Sequence, residues 1–383
     1  MEVPAHAYQC DIVTDEAAFA GLENAWNALY GVVQDAYLSD SFDWARLSWE
    51  LVCRPRGREL FCLVVRRGSQ TVAIWPLVLS RRGMWRIASP LDSETSEYCP
   101  FLIDPAADLE QVWRAFRDRL SGCGRVDALC LDFVREERPL GRWLAGQAGS
   151  VKTLSLPTSQ LCGADNADWD GYLAQQSRGL PAALRRDWRK LAATGEVRFE
   201  DVTDRGERAA IWSWMLANKR DWMVRRGRTN DWFISESYAR FASASLDWFG
   251  AGGGRRIFAL KVDGVVIAAD LCSVDRVRLE AFVTTYDEGY TAFSPGKLLL
   301  QETARWAFER GLICDLRVGH DSYKRRWANQ FGQVSFFTLP MTPAGRLVAP
   351  YDFARSWARR RMPRSLRAPV AAALRRWSGR GGA

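Results

Sequence analysis

The chain is poor in histidine and lacks paired cysteines, a long apolar run and an early positive charge. Two histidines, His6 and His320, among 383 residues give a Cys/His zinc site little to work with, so no metal is expected. The nine cysteines contain no C-x-x-C pair, and Cys62, Cys130, Cys272 and Cys314 lie in apolar, strand-like runs. They read as reduced core thiols, not as a disulfide framework. The longest apolar run, around Thr71 to Leu79, is interrupted by Pro76 and stays far below the roughly 18 residues a spanning helix needs. No Lys or Arg precedes Arg46, whereas Asp11, Asp15 and Glu16 do. A secretory signal is therefore not expected, and a cytoplasmic protein is.

Acidic residues are missing from one stretch only. From Phe353 to the end there are nine arginines and no acid, so the remaining 44 of the 53 basic residues face 45 acids in the first 352 positions. The formal charge of +8 belongs to a tail, and a near-neutral body argues against specific nucleic-acid binding. Within the tail, Leu366, Val370, Leu374 and Trp377 recur at helical spacing, flanked by Arg367, Arg375 and Arg376. That pattern predicts a short amphipathic segment docking on an anionic membrane surface, with the protein peripheral to the inner face of the cytoplasmic membrane.

What the chain does contain is an internal repeat. Leu60–Arg66, Thr71–Leu79 and Met84–Ala88 read as a β-meander followed by a helix, Leu109–Leu120, and a strand, Val126–Phe133. Ile257–Val262, Val265–Ser273 and Val277–Thr284, then Lys297–Arg310 and Ile313–Val318, repeat that order at offsets of 197, 194, 193 and 187 residues. Two helical stretches precede each unit, and a basic helix near 177–194 joins them. Forty-eight per cent hydrophobic residues suffice for two packed cores.

This duplicated order resembles the tandem GNAT acyltransferases. Ser294-Pro295-Gly296-Lys297-Leu298-Leu299-Leu300, followed by Asp315-Leu316-Arg317-Val318-Gly319-His320-Asp321-Ser322-Tyr323-Lys324, is similar to the CelD/BcsL-type acetyltransferases of bacterial cellulose and other exopolysaccharide synthesis. The segment from Arg185 to Phe199 shares that likeness, and within the family the acetyltransferases of holdfast-type adhesive polysaccharides look nearest. The FemX group of aminoacyl transferases is a more distant relation. The resemblance implies an α/β fold of two tandem GNAT-like domains, mixed sheets flanked by helices, with a basic amphipathic C-terminal tail. The expected bounds are 1–155, 156–345 and 346–383, the second domain holding the acyl-CoA site. It implies acetyl-CoA as co-substrate and a lipid-linked or polymeric sugar as acceptor, more readily an amino sugar.

The residues allow a chemical reading of the same segment. A helix entry at Ser294, Gly296 and Lys297 suits a pyrophosphate: Ser can cap, Pro295 fits the first turn, Gly permits close approach and Lys adds charge. A merely well-capped helix is the plainer reading, and the usual GNAT phosphate loop with G-x-G is absent. In the GNAT fold the cofactor arm lies between the fourth and fifth strands, which places Phe282 and Thr284 along it. Acyl transfer needs a base, a proton donor for the thiolate and a group polarising the carbonyl. Glu280 is a candidate base, alternatively an exposed strand residue paired with Arg276 or Arg278. Tyr286 and Asp287 end the same strand, where Asp287 also suits a turn. His320 is a further candidate base with Asp321 orienting it, Tyr323 a proton donor and Lys324 an anion binder. Arg185 and Arg186, with Arg225 to Arg228, are alternative contacts for a cyclic di-GMP effector, since Arg pairs well with guanine and phosphate.

Overall fold

The computed structural model describes residues 8–361 apart from 165, 167, 177, 178, 226, 228–234, 251 and 252. The amphipathic stretch from Arg364 to Trp377, together with Arg178, Arg226 and Arg228, lies outside the described residues. The first half contributes strands β1 (Tyr8–Val13), β2 (Glu59–Leu60), β3 (Cys62–Arg67), β4 (Gln70–Trp75), β5 (Leu77–Arg82), β6 (Trp85–Pro90), β7 (Leu102–Ile103), β8 (Ala128–Arg135) and β9 (Val151–Leu161). The second contributes β10 (Val197–Val202), β11 (Phe249–Gly250), β12 (Gly253–Val262), β13 (Val265–Val274), β14 (Arg278–Tyr286), β15 (Ile313–Val318) and β16 (Gln330–Pro340). Among the described residues they form a four-stranded sheet, β1-β3-β4-β7, and a twelve-stranded one whose path runs β10-β12-β13-β14-β15-β9-β16-β8-β6-β5-β2, with β11 beside β12.

The meander of the second half is continuous, β12, β13 and β14 pairing antiparallel in turn. Its first-half counterpart differs from the expectation. Pro76 divides Thr71–Leu79 into β4 and β5, and the two belong to different sheets. Proline cannot donate to a ladder, so the strand bends there and changes partner. The repeat is restored at the next step, where β6 runs parallel to β8 as β14 runs parallel to β15.

The centre of the large sheet was not legible as a repeat. β9 closes the first half yet lies beside β15, while β16 closes the second half yet lies beside β8. The two strands pair antiparallel with each other from Gln330↔Gln160 to Thr338↔Val151. Each half thus lends its last strand to the other, and the boundary set between 155 and 156 falls inside β9. Separate cores fill each half, and a further cluster crosses between them: Trp44, Leu47 and Val52 pack with Trp212, Met215 and Phe241. No described helix is long and apolar enough to cross a membrane.

Candidate active site between parted strands

β14 and β15 pair at only three positions, the last being Glu280↔Asp315, and then diverge. The parting is built into the backbone of β15. Its register against β9 shifts between Asp315 and Val318, and Arg317 adopts a left-handed φ of 61°. Phe133 does the same in β8, at 56°, so the kink is part of the repeat. Non-glycine residues rarely hold that conformation unless their surroundings enforce it. In the second half the divergence opens a cleft of about 610 Å³, lined by Ala281 to Thr284 and Tyr286 on one strand and Leu316 to Val318 on the other.

The helix Pro295–Phe308 begins at the mouth of this cleft, where Ser294, Pro295, Gly296 and Lys297 all line it. Ser294 does not cap as the sequence suggested. It is left-handed at φ 56° and its side chain makes no capping bond; Pro295 has no N–H and that of Lys297 donates to the Ser294 carbonyl at 2.9 Å, so in the first turn the Gly296 N–H is the donor left for the cleft. A side chain at Gly296 would have its Cβ 3.3 Å from Cδ1 of Tyr286, so only a residue without one leaves the entry open. Lys297 is neutralised by an ion pair to Asp187, which also accepts from Nε of Arg186 at 3.1 Å. The equivalent first-half helix, Leu109–Gly122, is closed: Asp108 accepts from the N–H groups of Glu110 and Gln111 at 3.0 and 3.2 Å.

Glu280 sits where the strands separate, directly before the cleft-lining Ala281; it is 1% exposed and is not itself among the cleft-lining residues. It is not the exposed, arginine-paired residue of the plainer reading. Arg276 donates to the carbonyls of Tyr30, Gly31 and Val33, and Arg278 lies 3.7 Å from Asp275. Both Glu280 oxygens lack a hydrogen-bond partner, and the nearest cation is Nε of Arg317 at 3.9 Å. Burial pushes its carboxyl up to about 8, with the Arg317 guanidinium acting in the opposite direction. A carboxyl so placed can accept a proton near neutral pH.

The remaining expected residues divide by position. Phe282, Thr284, Tyr286, Tyr323 and Lys324 line the cleft, Tyr323 with 45% of its surface exposed. Lys324 is buried and donates to the Val318 carbonyl at 2.6 Å. Asp287 accepts from the Gly289 N–H at 2.8 Å and shapes the turn after β14. Neither Asp287 nor the exposed His320 is among the cleft-lining residues. Arg185 and Arg186 are exposed on the helix Leu180–Ala192, whose first residue touches the cleft while they do not. Sequence reasoning passed over Glu97, Lys219, Arg317 and Arg326, which also line it. Glu97 carries no signal in its surroundings, because it arrives from the other half of the chain.

Behind the cleft, Asp315 is fully buried and joins the halves. It accepts from the Tyr98 hydroxyl at 2.9 Å, from Nε2 of Gln160 at 2.7 Å and from the Arg317 N–H at 2.7 Å.

Parted parallel strands with an open helix N-terminus at their mouth and a buried carboxyl at their root define an acyl-transfer fold of the GNAT class. Residues 180–325 match the acetyltransferase (GNAT) domain family, which identifies the second half as a GNAT-type acyltransferase unit. No curated protein matches the chain. Among solved structures the chain is similar to FemX (TM-score 0.61, 12% identity, 85% of this chain and 98% of that one). It also resembles a tandem GNAT protein from the clavulanic acid biosynthesis pathway (0.50, 14%, 88% and 99%). A third is the C-terminal domain of a putative lysylphosphatidylglycerol synthetase from Agrobacterium fabrum (0.54, 12%, 88% and 96%). At these identities the likeness concerns the fold, and it extends over both halves.

Proposed function

We propose that the protein transfers an acetyl group from acetyl-CoA to an amino group on a sugar of an exopolysaccharide precursor. GNAT domains use acetyl-CoA as donor, and the observation that carries the reading here is the uncapped helix start beside Gly296, opening into a cleft between strands that part just beyond the buried Glu280. The pyrophosphate would lie against the Gly296 N–H at the positive end of the helix, and the pantetheine arm between Phe282–Thr284 and Leu316–Val318. The thioester would then face Glu280, which takes the proton of the attacking amine, while Tyr323 returns one to the departing thiolate.

The acceptor class comes from the resemblance of Ser294–Leu300 and Asp315–Lys324 to exopolysaccharide acetyltransferases. Acetyl transfer to a panel of nucleotide- and lipid-linked amino sugars, followed by mass spectrometry, tests it. Aminoacyl transfer from charged tRNA with no acetyl transfer would favour a FemX-like activity instead. Arg185 and Arg186, exposed beside the cleft entrance, are the proposed contacts for cyclic di-GMP; a thermal shift with that nucleotide, absent in the double alanine variant, is the expected result.

We also propose that the arginine-rich tail holds the enzyme at an anionic membrane. A full-length chain should co-sediment with phosphatidylglycerol vesicles at low salt, and a chain ending at Arg361 should stay in the supernatant. The cut belongs there because the helix Val348–Arg361 is anchored to the body, Asp352 pairing with Arg82 and Tyr351 packing on Trp85.

A further inference from the structure

Five cations line the cleft, Lys219, Lys297, Arg317, Lys324 and Arg326, against one acid, Glu97. Several of these charges are already engaged: Lys297 by Asp187, Lys219 by the Thr284 carbonyl, Lys324 by the Val318 carbonyl. Arg317 differs. It is 3% exposed, yet its Nε and Nη2 have no hydrogen-bond partner. Its guanidinium lies 3.6 Å from the centroid of the Phe282 ring, whose own position is shared with the buried Arg255 at 4.4 Å. A buried guanidinium with two orphaned donors is costly unless something answers them. The left-handed backbone at Arg317 is a second cost carried at the same place. Glu97 stands 3.6 Å from Nε of Arg317, close enough to attract and too far to bond, and its side chain is 30% exposed. It belongs to the first half, between β6 and β7.

We infer that Arg317 binds an anionic group of the acceptor, a carboxylate or a phosphate, and that Glu97 holds the place of that anion until the acceptor arrives. The inference rests on the cleft being the acyl-transfer site and adds the charge of the acceptor to it. A planar guanidinium with two free N–H groups suits two oxygens of one anion. The donor's phosphates have their own place at the helix start, so Arg317 serves the other substrate. On this reading the first half is part of the site: its Glu97 sets how strongly an anion must bind to displace it.

Calorimetric titration of the full chain, saturated with acetyl-CoA, tests this with glucuronate, glucose 1-phosphate and neutral glucose as probes. One or both anionic probes should bind about tenfold or more tightly than glucose, and the tighter of the two identifies the source as carboxylate or phosphate. Arg317→Gly, which suits the left-handed backbone, should lose about tenfold or more in that affinity, while Glu97→Gln should gain several-fold. Equal binding of all three sugars, unaltered affinity in Arg317→Gly, or displacement of the probe by acetyl-CoA would overturn the inference. Should Arg317→Gly fail to fold, the direction of the Glu97→Gln change decides. If acetyl-CoA does not bind, the acyl-transfer reading falls, and the probes titrated alone still judge Arg317.

Discussion

Glu280 illustrates how one residue can be visible in the sequence while its chemistry is not. Its strand position was legible from the alternation around Val277–Thr284, but its burial depends on segments from elsewhere in the chain packing around it, and its raised pKa on that burial and on Arg317 staying beyond hydrogen-bonding distance. With its carboxyl at about 8 in the folded enzyme, kcat/KM for acetyl transfer should rise with pH through that value. Glu280→Gln should lower kcat by about 10²-fold or more and abolish the rise. The same shift makes a stability statement. Below the ordinary carboxyl value of about 4.3, folded and unfolded chains are both protonated. Above it the unfolded chain ionises while the native one stays neutral, so this stabilisation is lost as pH climbs toward 8. The melting temperature of Glu280→Gln should therefore gain on that of the wild type between pH 5 and 8. A constant difference would show that Glu280 is not held neutral. Tyr323, exposed at the cleft edge, should behave differently: Tyr323→Phe should reduce turnover by about 10²-fold while leaving acetyl-CoA affinity within about twofold.

Among the elements, two helices that look equivalent in the repeat serve different ends. Leu109–Gly122 opens with Asp108, whose carboxylate satisfies two N–H groups and would repel a phosphate. Pro295–Phe308 opens with an uncapped Ser294 and a glycine with tyrosine close above it. Gly296→Leu should therefore weaken acetyl-CoA binding by about tenfold or more in calorimetry with little change in melting temperature, because the intruding side chain points into the cleft mouth and not the core. An unchanged dissociation constant would move the pyrophosphate elsewhere. The strands carry a similar lesson. One proline, Pro76, sends half of a predicted strand into a separate sheet, whereas its counterpart β13 runs unbroken for ten residues.

At the scale of the whole molecule, the exchange of β9 and β16 makes the halves inseparable. Neither can keep its sheet complete alone, and Asp315 of one half depends on Tyr98 of the other. Urea unfolding should accordingly be a single transition, with far-ultraviolet circular dichroism and tryptophan fluorescence coinciding. Tyr98→Phe should cost about 1–3 kcal/mol, since it removes a buried donor from a carboxylate that keeps only part of its shell. Two resolved transitions would mean that the shared strands do not couple the halves.

The repeat of hairpins, helices and strands, the helix-start motif at Ser294–Lys297 and the position of Glu280 were determined by the sequence, because hydrophobic period and turn chemistry act over a few residues and can be read locally. The split at Pro76 was half visible: the proline was plain, its consequence for sheet membership was not. The pairing of β9 with β15 and of β16 with β8, the entry of Glu97 into the cleft and the isolation of the Arg317 guanidinium were decided only by tertiary structure. Each depends on segments more than a hundred residues apart meeting in the fold, and whether a charge is answered or orphaned is a property of that meeting, not of any stretch of chain.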